Sequence, residues 1–241
     1  MTLRPLRRWL TAAVLAPALT AAHARPAIPV LVHQPAQQSM TATLQLPGQL
    51  LPEVDLHQQQ IDIATPLITL VGRAESDPVG GYDAANNGYP LDLGSDGIRK
   101  VFGRPAAEVT VGELLLAQSQ RRIHAVGRYQ IIGITLQLLV RERCITGAEL
   151  FTDRVQDRAF LCLIQAKRPA VWHFITTGRG LIAAADAMAM EWASMPYKHG
   201  GSFYSNGRDR AHASRSELFA ALKSVRTLWL GNTASQSEDI S

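Results

Sequence analysis

Apolar residues recur at helical spacing through most of residues 65 to 228. Leu67, Ile68, Val71 and Ala74 fall on one face of a helix predicted over 65–76. Asp77 precedes Pro78. A residue before proline is held out of the helical region, so that helix should end there. Thr110-Val111-Gly112-Glu113 has the form of a capping box and opens a helix reaching about Arg121. Further helical runs cover 128–143, the stretch from Thr152 and Asp153 to about Lys167, then 170–177, 181–194 and 214–228. Residues 79–100 are rich in Gly, Asn and Asp and predict an irregular polar loop with a small hairpin. Alternating strand patterns are scarce elsewhere. The expected class is α+β, mostly α-helical.

The ends of the chain read differently. Arg4, Arg7 and Arg8 precede an apolar stretch from Leu10 to Ala22, and Ala22-His23-Ala24 places small residues where a signal peptidase cuts. Residues 1–24 are expected to be a cleaved signal peptide, because a stretch of thirteen residues falls short of the roughly 20 that span a bilayer; the alternative is an uncleaved membrane anchor. No later run approaches that length, so no stable membrane span is expected after cleavage. Residues 25–60 hold five prolines and eight glutamines with almost no charge, the composition of a linker, with a short helix near 56–63 as an option. A folded domain is expected over 61–231, followed by a polar, frayed tail over 232–241.

The formal charge is +4, from 24 basic and 20 acidic residues. Three of the positive charges lie in the leader, so the basic balance is mostly a targeting signal, and no nucleic acid partner is expected. Export places Cys144 and Cys162, the only two cysteines, in an oxidising compartment. Bridged, they would close a loop of about 19 residues and contribute on the order of 3 kcal/mol. Unbridged, they would be two small buried hydrophobes.

Glu75 is the position that departs from the pattern. It follows Val71 by four residues and Leu67 by eight, so it lies on the apolar face of its helix. Burial raises a carboxyl pKa, and the negative end of the helix dipole acts in the same direction. A carboxylic acid still protonated near neutral pH can serve as a general acid. The competing reading is a surface helix-end glutamate paired with Arg73 or Arg128. The loop that follows, from Ser76 to Gly88, carries Tyr82 and Asn86 as candidate sugar contacts. Amides bond hydroxyl and N-acetyl groups, and rings cover apolar sugar faces. The alternative is an ordinary cluster of turn residues.

Ala74-Glu75-Ser76 resembles the Glu-Ser pair that carries the catalytic acid in lytic transglycosylases and goose-type lysozymes. Gly127-Arg128-Tyr129-Gln130 is similar to the Gly-x-Tyr/Met-Gln segment found downstream of it. Val155-Gln156-Asp157-Arg158-Ala159 resembles a helix start in lambda-type phage endolysins. Glu191-Trp192-Ala193-Ser194-Met195-Pro196 with Ser202-Phe203-Tyr204 resembles their C-terminal segment. The resemblance spans about residues 65–226. It implies a lysozyme-like fold, a cleft for peptidoglycan glycan strands, and cleavage of the β-1,4 bond between N-acetylmuramic acid and N-acetylglucosamine. It implies Glu75 as general acid and then base. It implies no cofactor and no metal. Gln130 would bond the sugar or orient Glu75, Tyr129 would line the cleft or pack in the core, and Phe203 and Tyr204 would form a stacking wall. Trp192 reads as core.

With one carboxylate, the substrate's acetamide and 6-hydroxyl can complete a lytic transglycosylase reaction. A hydrolytic muramidase needs a second carboxylate, for which Asp77, Asp83, Asp92 and Asp96 are the candidates near in sequence. A non-catalytic glycan-binding component of an envelope apparatus is the rival of another class, and a chitin-active enzyme is another rival. The leader suggests a periplasmic or envelope location and wall remodelling, with a secretion or conjugation apparatus as partner or a phage-lysis role as the runner-up. There is no His-Glu-x-x-His, no cysteine cluster, no Gly-x-Ser-x-Gly elbow and no phosphate-cradling glycine loop.

Overall fold

The computed structural model describes residues 56–88, 93–204 and 209–238. The predicted leader and residues 25–55 of the predicted linker lie outside them, as does Asp92. Among the described residues the chain is mostly helical with one small antiparallel sheet. No helix there is long and apolar enough to cross a membrane.

Helix α1 (Leu56–Glu75) is the axis of the domain. Leu67 and Val71 are fully buried and Ala64, Ile68 and Ala74 nearly so. This stripe packs along α8 (Arg215–Glu238) and crosses α5 (Asp153–Cys162). The helix starts nine residues before the predicted 65, and the linker expected to reach residue 60 gives way to it at Leu56. The glutamines there find partners: Gln59 donates to Asn232 at 2.5 Å. The same contact anchors the end of α8, which continues to Glu238 where a frayed tail from 232 was expected.

Among the described residues, no strand pairing is closed within 79–100, where a hairpin was predicted. Strand β1 (Ala85–Asn86) pairs instead with β2 (Ala125–Val126), and β2 pairs with β3 (Ile131–Ile132). Between β1 and β2 lie α2 (Gly97–Phe102) and α3 (Val111–Ser119). Helix α3 opens with the expected box, Thr110 accepting from the Glu113 N–H while the Glu113 carboxylate accepts from the Thr110 N–H. The Thr110 N–H, Arg104 and the Thr110 hydroxyl, all donating to the carboxylate, draw the Glu113 pKa down to about 2. The run read as a helix over 128–143 is a turn, then β3, then α4 (Gly133–Arg141). Ile131 enters the sheet because Val126 offers a backbone partner.

Helix α5 begins at the Thr152 cap and passes into a π-turn over Leu163–Lys167. Helices α6 (Pro169–Thr177) and α7 (Leu181–Glu191) then pack on each other and on α8. Phe160, Ile164, Ile175, Met188 and Leu222 are buried in one continuous core. Cys144 and Cys162 are disulfide-bonded, with Cα atoms 6.0 Å apart. The bridge ties the turn after α4 to the end of α5. Replacing both cysteines by Ala is expected to cost about 2–3 kcal/mol. A lowered melting temperature against the oxidised wild type is the measurement.

Candidate active site

Glu75 is the last residue of α1, and Ser76 follows it. Ser76 is fully buried, and its hydroxyl donates to the Arg128 carbonyl at 2.7 Å. This fastens the helix end to the turn over Gly127–Gln130. The turn is tight: Gly127 has φ +72° and Gln130 φ +46°. Gln130 donates through Nε2 to the Gly127 carbonyl at 2.9 Å and accepts from Asn86 Nδ2 at 2.6 Å. Two of the predicted amides thus meet, one from β1 and one from the turn before β3.

Beneath them is a polar network. Arg128 makes a bidentate ion pair with Asp77, at 2.8 and 2.9 Å, and its Nη1 donates to Tyr82 at 3.0 Å. Its guanidinium lies over Gly72, where a Cβ would stand 2.2 Å from Nε. Both Tyr82 and Tyr129 donate to Asp157. Burial and the Asp157 charge push the Tyr82 phenol up to about 12 and the Tyr129 phenol up as well. Gln156 is fully buried and accepts the Arg128 N–H at 2.9 Å while donating to the Tyr82 and Phe151 carbonyls.

A cleft passes over this platform in two halves, of about 420 and about 510 Å³. Glu75, Asn86, Gln130, Ala193 and Asp209 line both, so Glu75 stands at their junction. The Glu75 side chain is half-buried. Its Oε1 accepts the Ser194 hydroxyl at 2.6 Å and the Ser194 N–H at 3.2 Å. Burial raises its pKa above 4.5, against the two Ser194 hydrogen bonds and the charge of His212, while the Asp209 charge adds to the rise. Neither expected arginine pairs with it: Arg73 binds Glu217 at 2.7 Å and Arg128 binds Asp77.

The other predicted residues divide. Asn86 and Gln130 line both halves, and Tyr204 lines the first, with its hydroxyl donating to the Met190 carbonyl at 2.8 Å. Phe203 lines neither half but is 40% exposed beside Tyr204, standing edge-on to it at 5.3 Å and to Tyr197 at 5.0 Å. Tyr129 borders the first half yet is only 1% exposed and packs on Phe160, so the core reading holds for its ring. Trp192 is likewise core, stacked on Phe160. Tyr82 lines neither half, and its hydroxyl is engaged by Asp157 and Arg128.

Of the candidate second carboxylates, Asp77, Asp83 and Asp96 lie among the described residues and Asp92 does not. Asp77 is taken by Arg128, Asp83 accepts the Ala106 N–H at 2.5 Å, and Asp96 stands exposed before α2. None of these three lines the cleft. The carboxylates that do are Glu191 and Asp209. Glu191 is neutralised by Lys167 and Arg168, each at 2.7 Å. Asp209 lines both halves with Glu75, and its charge acts on that carboxyl. Ser194, Asp209 and His212 were not foreseen as site residues. All three lie on the connection between α7 and α8, which has no periodicity to signal which side chains point inward.

Among the described residues no group of three or more His, Cys, Asp or Glu side chains is placed to hold a metal ion. Comparison of the chain with protein-family models, with curated proteins and with solved structures finds no match.

Proposed function

We propose that the chain is an exported peptidoglycan-cleaving enzyme with a lysozyme-like fold, acting as a lytic transglycosylase through Glu75. The observation that carries this reading is the position of Glu75, a half-buried carboxyl with a raised pKa at the junction of a two-part cleft. A glycan strand laid along the cleft would place sugars in both halves and one glycosidic bond over the acid.

Glu75 first gives its proton to the oxygen leaving from N-acetylmuramic acid C1. The acetamide oxygen of the same sugar supports the cationic carbon, as in substrate-assisted glycosidases. The Glu75 carboxylate then removes the proton from the 6-hydroxyl, whose oxygen attacks C1 and closes a 1,6-anhydro ring. Glu75 ends protonated as it began, and neither water nor a cofactor is consumed. Asn86 and Gln130 supply the amides for hydroxyl and N-acetyl groups, and Tyr204 supplies an aromatic wall.

Asp209 supports a second reading, a hydrolytic muramidase, because it lines both halves of the cleft with Glu75. Mass spectrometry of products from purified sacculi tests both. Anhydro-ended muropeptides are the expected result. Reducing-ended products that persist in Glu75-containing protein and disappear on Asp209→Asn would transfer the assignment to a hydrolase. Binding of sacculi with no cleavage would leave a glycan-binding envelope component.

A further inference from the structure

We propose that Ser194 is the positioning residue of the acid: it occupies Oε1 of Glu75, so that the proton to be transferred resides on Oε2. This rests on Glu75 being the acid. Both Ser194 donors converge on the same oxygen, the hydroxyl at 2.6 Å and the backbone N–H at 3.2 Å. An oxygen that accepts two hydrogen bonds is a poor carrier of its own hydrogen, because a hydroxyl there would face two donors. Oε2 is the oxygen left to carry it. Ser194 is only 3% exposed, so its hydroxyl is held to this partner.

The serine is itself fixed by a closed ring of bonds. The His212 backbone N–H donates to the Ser194 carbonyl at 2.8 Å. His212 Nδ1 lies 2.9 Å from the Ala74 carbonyl, which can only accept, so Nδ1 carries the hydrogen. Ala74 is covalently joined to Glu75. The ring therefore runs from α1 through Glu75, Ser194 and His212 back to α1, and the carboxyl cannot turn without breaking a bond in it. Ser194 acts through the acid, to which both of its donors are bonded. It serves both halves of the reaction, leaving the proton on Oε2 at first and holding the carboxylate that remains after transfer.

The test compares wild type, Ser194→Ala and Ser194→Cys on purified sacculi across pH, with thermal melting as the check on folding. The Glu75 carboxyl is followed in the same proteins by ¹³C NMR titration, assigned with Glu75→Gln. The Ala variant is expected to melt as wild type and to lose about ten- to a hundredfold in kcat with little change in KM. Its titration and the basic limb of its rate profile should both move to higher pH, because the ionised carboxylate has lost a donor. His212 and Asp209, the other charged groups acting on Glu75, are unchanged in this comparison. The Cys variant, a weaker donor of similar size, should fall between, and it carries the comparison if the Ala variant does not fold. An unmoved titration and rate profile overturn the proposal. A wild type without turnover removes the enzymatic reading of the site. The NMR titration then decides the Ser194 contact alone, a displaced curve upholding it and an unmoved one overturning it.

Discussion

Glu75→Gln is expected to lower turnover of peptidoglycan by about 10²–10⁴-fold, the usual contribution of a positioned general acid–base group. The amide keeps the size of the side chain and can still accept from Ser194 through its oxygen, but it has no acidic proton to give. The loss should come without loss of fold. Burial raises the Glu75 pKa, so the folded protein holds that proton more tightly than the unfolded chain does. The contribution of the group to stability is therefore greatest below the ordinary carboxyl value of 4.5 and is lost as pH rises through the folded pKa. At neutral pH the Gln variant should be at least as stable as wild type, and its advantage should grow with pH across that window. Parallel melting curves and muropeptide release at several pH values measure both effects. A Gln variant that turns over at the wild-type rate would remove Glu75 from the chemistry.

Gly127→Ala should be the most damaging single substitution in the platform. Gly127 has φ +72°, a left-handed conformation that costs an alanine about 1–2 kcal/mol. A Cβ there would also stand 2.2 Å from Gln156 Oε1 and 2.8 Å from the Phe151 ring. Gln156 cannot swing aside cheaply, because it is fully buried and bonded to three backbone groups. Overpacking and broken buried hydrogen bonds bring the expected loss to about 4 kcal/mol. For a domain of this size that lowers the melting temperature by roughly 8–16 °C. Activity should fall further than stability alone explains, since Gln130 and the Arg128 carbonyl that holds Ser76 belong to the same turn. Calorimetry and turnover below the melting transition separate the two losses.

The helices were legible because their signals are local. Thr110 with Glu113, Thr152 before α5, and Pro78 after α1 mark boundaries through contacts a few residues long. The sheet was not legible because each strand has two residues, too few to show an alternation. Its pairing joins Ala85 to Val126 across two intervening helices. Glu75 could be found because a carboxylate on an apolar helix face breaks a pattern. Ser194, Asp209 and His212 break none, since their meeting with Glu75 is made entirely by tertiary folding. Nearness in sequence misled at Asp77, which a long arginine side chain claims from 51 residues away.

The hydrogen bond between Glu75 and Ser194 joins residues 119 positions apart. During synthesis, α1 emerges long before the segment that completes the surroundings of Glu75. A nascent chain carrying Glu75 has neither the donors on Oε1 nor the wall supplied by Tyr204 and Asp209 until residues 192–214 have followed. Helix α8, packed along α1, then locks the late segment in place. A protein built this way has the surroundings of Glu75 completed only after residues 192–214 have been translated, and a chain released before them would carry the carboxyl without those contacts.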